Sequence, residues 1–586
     1  MLNEKYIKVL YVDLETEKIR IEQRKDLLPY LGGVGIACAL LKENIKFALS
    51  PTSPQQPIVF AIGAGAFIFP VLTKTVAMFV SPLTGELGES YAGGRMAMSM
   101  LLAGYDALVI TGKAKKHSYL AVSTNNVSVR DARALWGLPV SKTGGAVRER
   151  ESNGASLGKR SIIRIGPAGE NGVAFSCVNV DTYRHFGRMG LGACMGSKNL
   201  KAITIHGNRS IPILNYNQYF KVYRDIYKRC TNTDSMAKYH DVGTPINILP
   251  LNKSGGLPAY NMRANSFEHA DQISGEAFAE KNLVRKMSCT GCPVGCIHIG
   301  MYRYEFDKGH EYEAISVGYD YELIYALGTF IGLKSTDEIL AIIEEVEEQG
   351  LDAMSAGVCL GWATEALEKG FITTDDTLVD LKFGDSQGYI KAVDHLAAGT
   401  NKFYRALGRG SRYAAKKYGG EDFAMHIAGN EMAGYHTGYG SLVGAAVGAR
   451  HSHLCNGGYS LDQGKQEFDE DVFVEKLFAE ECERCMTNSL VMCLFARKIY
   501  DRQTILDALN SIGWELTDSD LTAIGRRIYQ TKLEIKEGLG FHMSDIRLPK
   551  RYFETPSLNG ALNEETTYRM IKKYTEKTEA LLREKI

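Results

Sequence analysis

The chain has 586 residues, enough for several domains, and 45% of them are hydrophobic while 23% are charged. This composition is typical of a globular protein and excludes an intrinsically disordered chain. Lysine plus arginine and aspartate plus glutamate both number 68, so the formal net charge is zero. The balance therefore gives no indication of nucleic acid or an anionic membrane as a partner.

The N-terminal segment, residues 1–25, alternates apolar and polar side chains, which predicts β-strands and not a secretion signal. The most apolar stretch, residues 57–72, is shorter than the roughly 20 residues of a membrane helix and contains Gly63, Gly65 and Pro70. It predicts a buried strand–turn–strand and no membrane span. We therefore expect a cytoplasmic protein whose twelve cysteines stay reduced and are available as metal ligands.

Three regions with different sequence patterns follow one another along the chain. Residues 1–207 are rich in glycine and β-branched side chains and predict a mostly β domain. Residues 208–410 and 411–586 place apolar residues at helical spacing and predict two mostly helical domains. In the second region, Thr336 followed by two acidic residues predicts the start of a helix. The expected fold class is α+β.

A cluster of three cysteines is the strongest chemical signal. Cys289, Cys292 and Cys296 form a C-x2-C-x3-C pattern with glycine and proline between the thiols. Such a turn brings sulfur atoms together, and three local thiolates plus one distant thiolate commonly hold a [4Fe–4S] cluster. A zinc site that uses His298 or a distant ligand is the alternative.

The fourth ligand has three candidates in the last region. Cys493 lies in the string T-N-S-L-V-M-C, while Cys482 and Cys485 form a second C-x-x-C just before it. Each of these thiols is equally compatible with a buried free cysteine that packs as a small apolar side chain. Spacing alone does not choose between them.

Glycine-rich segments of the first region predict contacts to an anion. They are residues 81–85, 90–94 and 184–199, and the third also contains Arg184, Arg188 and Lys198. Backbone N–H groups and cations in such loops can bind phosphate oxygens. The pattern is not that of a P-loop, and no dinucleotide-binding fingerprint follows a predicted strand. Beside a redox cluster, the loops indicate a phosphorylated organic cofactor.

With these motifs the chain resembles the aldehyde ferredoxin oxidoreductases nearly from end to end. The shared strings include L-G-G-V-G at residue 31, S-P-L-T-G at residue 81, G-P-A-G-E-N at residue 166, C-x-x-C-P-V-G-C at residue 289 and H-E-Y-E at residue 310. The resemblance implies a tungsten (or molybdenum) bis-pyranopterin beside a [4Fe–4S] cluster. It also implies a β-rich pterin-binding domain followed by two mostly α-helical domains, with the cofactor between them.

The resemblance assigns Cys493 as the fourth cluster ligand and implies a set of cofactor contacts. Two family motifs are altered, because Glu347 and Asn488 stand where the family has aspartate. A Mg²⁺ ion that bridges the pterin phosphates would be bound through backbone carbonyls of Tyr91 and His185. The matching positions are Lys74, Tyr91, Gly93, Arg184, His185, Gly187, Glu347, Leu351, Asp352, Arg450 and Asn488.

The implied chemistry is oxidation of an aldehyde to a carboxylate, or the reverse. Electrons would pass through the cluster to ferredoxin or an iron–sulfur partner subunit, in a homo- or hetero-oligomer. The resemblance places Glu313 and His453 near the metal as catalytic residues, with Glu311 beside the former and His451 competing with the latter.

Departures from the family, at Lys74, Asn488 and in residues 431–438, leave two alternatives open. Residues 431–438 read E-M-A-G-Y-H-T-G, with His436 in place of an acidic residue, near the expected substrate channel. The first alternative is a tungsten reductase that acts on an activated acyl or aromatic thioester and uses Cys359 as a thiolate ligand. The second is an iron–sulfur electron-transfer protein that has no catalytic pterin.

Overall fold

The computed structural model describes residues 6–151, 157–232, 234–464 and 467–586. Two six-stranded sheets form the N-terminal part. The first sheet contains β1 Ile7–Asp13, β2 Lys18–Arg24, β3 Ile58–Ile62, β4 Thr75–Val80, β5 Leu87–Ala92 and β6 Ala107–Thr111. Its strand order is β2-β1-β6-β3-β4-β5, and only β1 and β6 are parallel among its neighbouring pairs.

The second sheet packs against the first. Its strands are β7 Ser118–Val122, β8 Val127–Asp131, β9 Arg160–Arg164, β10 Val178–Val180, β11 Arg184–Phe186 and β12 Leu200–His206. The order is β11-β10-β9-β12-β7-β8. One hydrophobic core lies between the two sheets, where the rings of Phe60 and Phe186 have centroids 5.5 Å apart.

Short helices complete this part. They are α1 Gly33–Asn44, α2 Met96–Ala103, α3 Val140–Arg150, α4 Pro167–Glu170 and α5 Leu191–Ser197. Every residue of β3 and β4 is buried. The core between the two sheets covers one face of the first sheet, and α1 covers the other face. In the stretch predicted as strand–turn–strand, β3 forms as expected, but the next strand, β4, begins just beyond it.

From Tyr216 onward the described chain is mostly helical. The helices before residue 410 are α6 Tyr216–Asn232, α7 Asp234–Asp241, α8 Ile248–Ser254, α9 Gly275–Lys281, α10 Tyr321–Leu327, α11 Thr336–Gln349, α12 Ala353–Glu368, α13 Thr374–Thr377, α14 Ser386–Ala398 and α15 Lys402–Leu407. Those after it are α16 Ser411–Tyr418, α17 Tyr439–Val447, α18 Gly458–Asp462, α19 Glu470–Ser489, α20 Arg502–Ser511, α21 Asp518–Gly538, α22 Arg551–Glu554 and α23 Glu564–Arg583. The predicted helix start at Thr336 is confirmed.

Two small sheets interrupt the helices. The first joins β13 Leu283–Met287, β14 Ile297–Asp307 and β15 Glu311–Tyr319, and the second joins β16 His426–Ile427 and β17 Asn430–Glu431. The far half of the β14–β15 hairpin is exposed on both faces.

The α+β fold class is confirmed, with a β-rich N-terminal part followed by helices. The largest hydrophobic core continues from the first sheet into the helical part. The domain boundaries at 207 and 410 stay a prediction. Within the described ranges, no helix is both long and apolar enough to cross a membrane.

Candidate active site

A cavity of about 560 Å³ lies where the two N-terminal sheets meet the helical part. Strands β5 and β11, one from each sheet, contact each other and bring Tyr91 and His185 into its wall. Ten of the eleven residues predicted as cofactor contacts line this cavity, namely Lys74, Tyr91, Gly93, Arg184, His185, Gly187, Glu347, Leu351, Asp352 and Arg450. Residues predicted from separate motifs therefore share one site, while their roles toward a cofactor stay predictions.

The cysteine loop, residues 289–296, is joined to the segment that carries Cys493. The N–H of Val71 donates to the carbonyl of Gly291 (3.3 Å), and the carbonyl of Val71 accepts from the N–H of Cys493 (3.2 Å). Gly291 and Gly295 have φ values of +84° and +70°, a left-handed conformation that glycine adopts without strain. These turns let the loop reverse direction between successive thiols.

Two cations lie beside these thiols. Burial lowers the pKa of Lys74, but attraction to Cys493 and Cys289 outweighs it and the pKa is raised overall. Arg184 behaves in the same way. In return, burial raises the pKa of Cys289, while Lys74 and Arg184 bring it below its usual value. The thiolate form that a metal requires is therefore favoured at Cys289.

The other cysteine candidates lie elsewhere. Cys482 and Cys485 are on α19 where it packs against α21. His298, on which the zinc alternative relied, places its two ring nitrogens 3.1–3.3 Å from the carbonyls of His240, Asp241 and Cys296. Within the described part of the chain, no group of three or more His, Cys, Asp or Glu side chains is arranged to hold a single metal ion.

The turn between α11 and α12 carries Glu347, Leu351 and Asp352 into the cavity wall. This turn contacts the segment that precedes β10 of the second sheet, because the N–H of Asp352 donates to the carbonyl of Phe175 (3.0 Å). The Asp352 carboxylate caps α12 by accepting from the N–H of Met354 and lies 3.2 Å from Arg188 Nε. Burial raises the pKa of Glu347 to about 8, so this glutamate is mostly neutral where the family has aspartate.

Arg450 lies across the cavity from this turn, above the ring of Tyr91 (5.0 Å to the centroid). Its Nη1 donates to the carbonyl of Glu89 (3.0 Å). The Glu89 carboxylate is buried and pairs with Lys532 Nζ (2.6 Å) and the Tyr91 hydroxyl (2.6 Å). This network fixes the Arg450 guanidinium in the wall.

The acid–base pair of the cavity is Glu322 and His453. Their Oε1 and Nε2 atoms are 3.2 Å apart. Burial is the main reason that the pKa of Glu322 rises to about 8, and Asp320 adds to the shift. Burial, and then Arg188, bring the pKa of His453 well below its usual value, so the imidazole is neutral. A carboxyl group that titrates near neutral pH beside a neutral imidazole is suited to proton transfer.

The predicted catalytic residue Glu313 does not line the cavity. Glu313 pairs with Tyr304 on the β14–β15 hairpin, where both are exposed and outside the cavity. The sequence contains acidic–Tyr–Glu twice, and the second copy, ending at Glu322, lies at the start of the buried helix α10. Asp320 caps that helix and thereby fixes the position of Glu322. The apolar residues that follow the second copy are the sequence signal that could have identified Glu322 as part of a buried helix.

Four other candidates lie outside the main cavity. Asn488 is buried at the end of α19, with its carbonyl beside the backbone of Gly33. His451 is held by the carbonyl of Ala446 and by Glu86 and Lys536, the last two each 3.0 Å from Nε2. The remaining two are Cys359, fully buried on α12, and His436, whose Nε2 is 2.8 Å from the carbonyl of Thr555.

The cavity wall contains buried polar atoms that have no hydrogen-bond partner among the described residues. They are Arg184 Nε, Asn430 Oδ1, Arg450 Nε and His453 Nδ1. Buried polar groups without partners cost free energy, so a cluster of them indicates a polar ligand. Cations that can bind phosphate oxygens, beside an amide and an imidazole that can hydrogen-bond a heterocycle, fit a phosphorylated pterin.

The comparisons with known proteins agree with this geometry. Residues 9–207 match the family model "Aldehyde ferredoxin oxidoreductase, N-terminal domain", and residues 221–578 match "Aldehyde ferredoxin oxidoreductase, domains 2 & 3". The tungsten-containing aldehyde ferredoxin oxidoreductase of Pyrococcus furiosus is 31% identical over 94% of this chain and 91% of its own length. That of Thermococcus kodakarensis is 30% identical over 94% and 92%.

Two further matches have other names. The WOR-like subunit of the aliphatic sulfonate oxidoreductase of Pyrococcus furiosus is 27% identical over 89% of this chain and 84% of its own. The solved active-site complex BamBC of benzoyl coenzyme A reductase, with 1,5-dienoyl-CoA, shares the fold at a TM-score of 0.82 and 19% identity, over 98% and 94% of the two chains. From the two family models, which together span most of its length, this chain belongs to the aldehyde ferredoxin oxidoreductase family.

Proposed function

We propose that this protein oxidises aldehydes to carboxylates, or runs the reverse reduction, at a tungsten (or molybdenum) bis-pyranopterin. A [4Fe–4S] cluster held by Cys289, Cys292, Cys296 and Cys493 would supply electron transfer to ferredoxin or an iron–sulfur partner subunit. The observation that carries the proposal is that the Glu322–His453 pair and the cations Lys74, Arg184 and Arg450 line one cavity beside the cysteine loop.

The residues of the cavity wall fit the proposed cofactor. When bound, it supplies a metal that polarises a carbonyl oxygen and takes up an electron pair. Lys74, Arg184 and Arg450 would hold its phosphate groups, and the strand carbonyls of Tyr91 and His185 would bind the bridging Mg²⁺. Lysine at position 74 supplies charge without the planar fork of arginine.

Glu322 performs the proton transfer in this proposal. Its carboxylate form accepts a proton from the water that adds to the aldehyde, or from the aldehyde hydrate as this is oxidised. The neutral His453 ring orients that carboxylate, because its Nε2 lies 3.2 Å from Glu322 Oε1. The ring can also donate a hydrogen bond to the substrate oxygen or accept one from a substrate hydroxyl. The rings of Tyr435 and Tyr459, with centroids 5.1 Å and 5.6 Å from that of His453, keep the imidazole in place.

The cysteine loop gives the electrons a route to a partner. Cys289 lies against Gly93 in the cavity wall, so close that a Cβ atom at Gly93 would overlap its sulfur. Two residues further along the same loop Gly291 is exposed, and Cys292 after it is half-buried. A cluster held by this loop would therefore have the cavity on one side and the protein surface on the other.

An anaerobic assay of metal-replete protein with a panel of aldehydes and a viologen dye tests the proposal. We expect dye reduction with at least one aldehyde and formation of the matching carboxylate. Full tungsten loading without activity on any aldehyde, in either direction, would show that the proposed reaction is wrong.

A further inference from the structure

The outer end of the cavity is lined by four residues that the proposed chemistry does not use: Lys238, Tyr239, Phe495 and Arg497. The rings of Tyr239 and Phe495 are stacked, with centroids 4.1 Å apart and planes inclined by 9°. Lys238 and Arg497 are exposed, and Lys238 Nζ lies 5.1 Å from the centroid of the Tyr239 ring. An aromatic wall with two cations at its edge therefore forms the mouth of the cavity.

The positive charge at this mouth is not neutralised. Neither Lys238 nor Arg497 pairs with a carboxylate among the described residues; Arg497 Nη1 donates instead to the carbonyl of Leu494 (3.0 Å). Burial, followed by repulsion from Arg497 and Lys498, lowers the pKa of Lys238. Two cations on one surface, without a carboxylate between them, favour the arrival of an anion.

The acidic residues of the cavity lie elsewhere and have their own partners. Asp320 caps α10, Asp352 faces Arg188, and Glu89 pairs with Lys532. Glu322 and Glu347 face His453 and His185. None of them compensates the cations at the mouth, so the electrostatic potential there is positive and attracts anionic molecules into the cleft.

We propose that the substrate is an aldehyde with a second, anionic group, a carboxylate or a sulfonate, that binds Lys238 and Arg497. The methylene groups of such a molecule lie along the Tyr239–Phe495 wall, and the aldehyde end reaches Glu322 deeper in the same cavity. This inference rests on the proposed function, because it names the substrate class of that site.

Paired substrates of equal carbon number test the inference on the holoenzyme. Succinic semialdehyde is compared with butyraldehyde at low ionic strength, with viologen as the electron acceptor; sulfoacetaldehyde against acetaldehyde distinguishes a sulfonate from a carboxylate. We expect kcat/KM to favour the anionic member of a pair by about tenfold, mainly through KM. Added salt should reduce the preference, since both cations are exposed.

Variants of the two cations test whether they cause the preference for anionic aldehydes. Lys238→Gln and Arg497→Gln should each reduce the anionic-to-neutral ratio of kcat/KM about three- to tenfold, while Lys238→Arg keeps most of it. Lys221→Gln, on the exposed face of α6 and outside the cavity, removes the same charge and should leave the ratio unchanged. Equal kcat/KM for both members of each pair, or an equal loss for both in the two glutamine variants, would overturn the inference.

A binding measurement separates this inference from the proposed reaction. By calorimetry, succinate should bind the holoenzyme and its neutral analogue succinamide should not, and the Lys238→Gln/Arg497→Gln double variant should weaken succinate binding. Succinate binding that is absent, or unchanged in the double variant, refutes the anionic substrate class. If that binding is intact but no aldehyde is turned over, the proposed reaction fails while the anion site stands.

Discussion

Replacement of Glu322 by glutamine tests the proposed acid–base chemistry. Burial raises the Glu322 pKa from its ordinary 4.5 to about 8, so the proton-accepting carboxylate forms as the pH rises through about 8. Glutamine keeps the shape of the side chain but cannot accept a proton. Because a positioned general base contributes about 100- to 10,000-fold, we expect kcat to fall by that factor, or about 3 to 5 kcal/mol.

The assay is viologen reduction under anaerobic conditions from about pH 6 to about pH 10. The wild-type rate should rise through about pH 8, whereas Glu322→Gln should be slow and flat over the same range. Glu313→Gln, on the exposed hairpin, is the matched control and should behave as wild type. A Glu322→Gln enzyme that keeps the wild-type rate and pH profile would refute this assignment.

The same pKa predicts a change of stability with a defined sign. The Glu322 carboxyl ionises near pH 4.5 in the unfolded chain and near pH 8 in the folded one, so the folded state loses stability as the pH rises between these values. At about 1.4 kcal/mol for each pKa unit, the loss reaches at most about 5 kcal/mol. In urea titrations, the stability of Glu322→Gln relative to wild type should therefore increase with pH. A difference that is independent of pH would contradict the raised pKa.

Three further predictions concern the cluster and the buried charges. Gly93→Ala places a methyl group on the sulfur of Cys289, so iron content should fall although the chain still folds; iron analysis with circular dichroism checks this. Cys493→Ser should lose the visible absorbance of the cluster, whereas Cys482→Ser on α19 should keep it. Lys536→Met leaves the buried Glu86 carboxylate with His451 but without its lysine, which should reduce the free energy of unfolding by about 3 to 5 kcal/mol in denaturant titrations.

Local patterns were sufficient for much of the fold. The alternation in residues 1–25 predicted strands, and β1 and β2 form there. The acidic start at Thr336 predicted α11, whose first turn carries Asp337 and Glu338. These signals succeed because each depends on neighbours along the chain.

Local sequence patterns could not identify which glutamate is the acid–base residue. Glu313 and Glu322 sit in nearly identical strings, and only tertiary structure shows that the first lies on an exposed hairpin and the second in a buried helix start. Asn488 was likewise predicted from a motif. It does not line the cavity; it lies at the end of α19, where the backbone of that helix packs closely on Gly33.

The cysteine and cation positions were easier to predict, because their chemistry restricts the choice of residue. The choice between His451 and His453 required contacts: Glu86 and Lys536 hold the first away from the cavity, while the second faces Glu322. Spacing along the chain contains no information about such long-range partners.

The metal and pterin content of the anaerobically purified protein tests the central claim most directly. If the cavity holds the proposed cofactor beside the cluster, elemental and pterin analysis should give roughly one tungsten or molybdenum, four irons and two pterins per chain. Protein that folds and binds iron or zinc but contains neither tungsten, molybdenum nor pterin would contradict it.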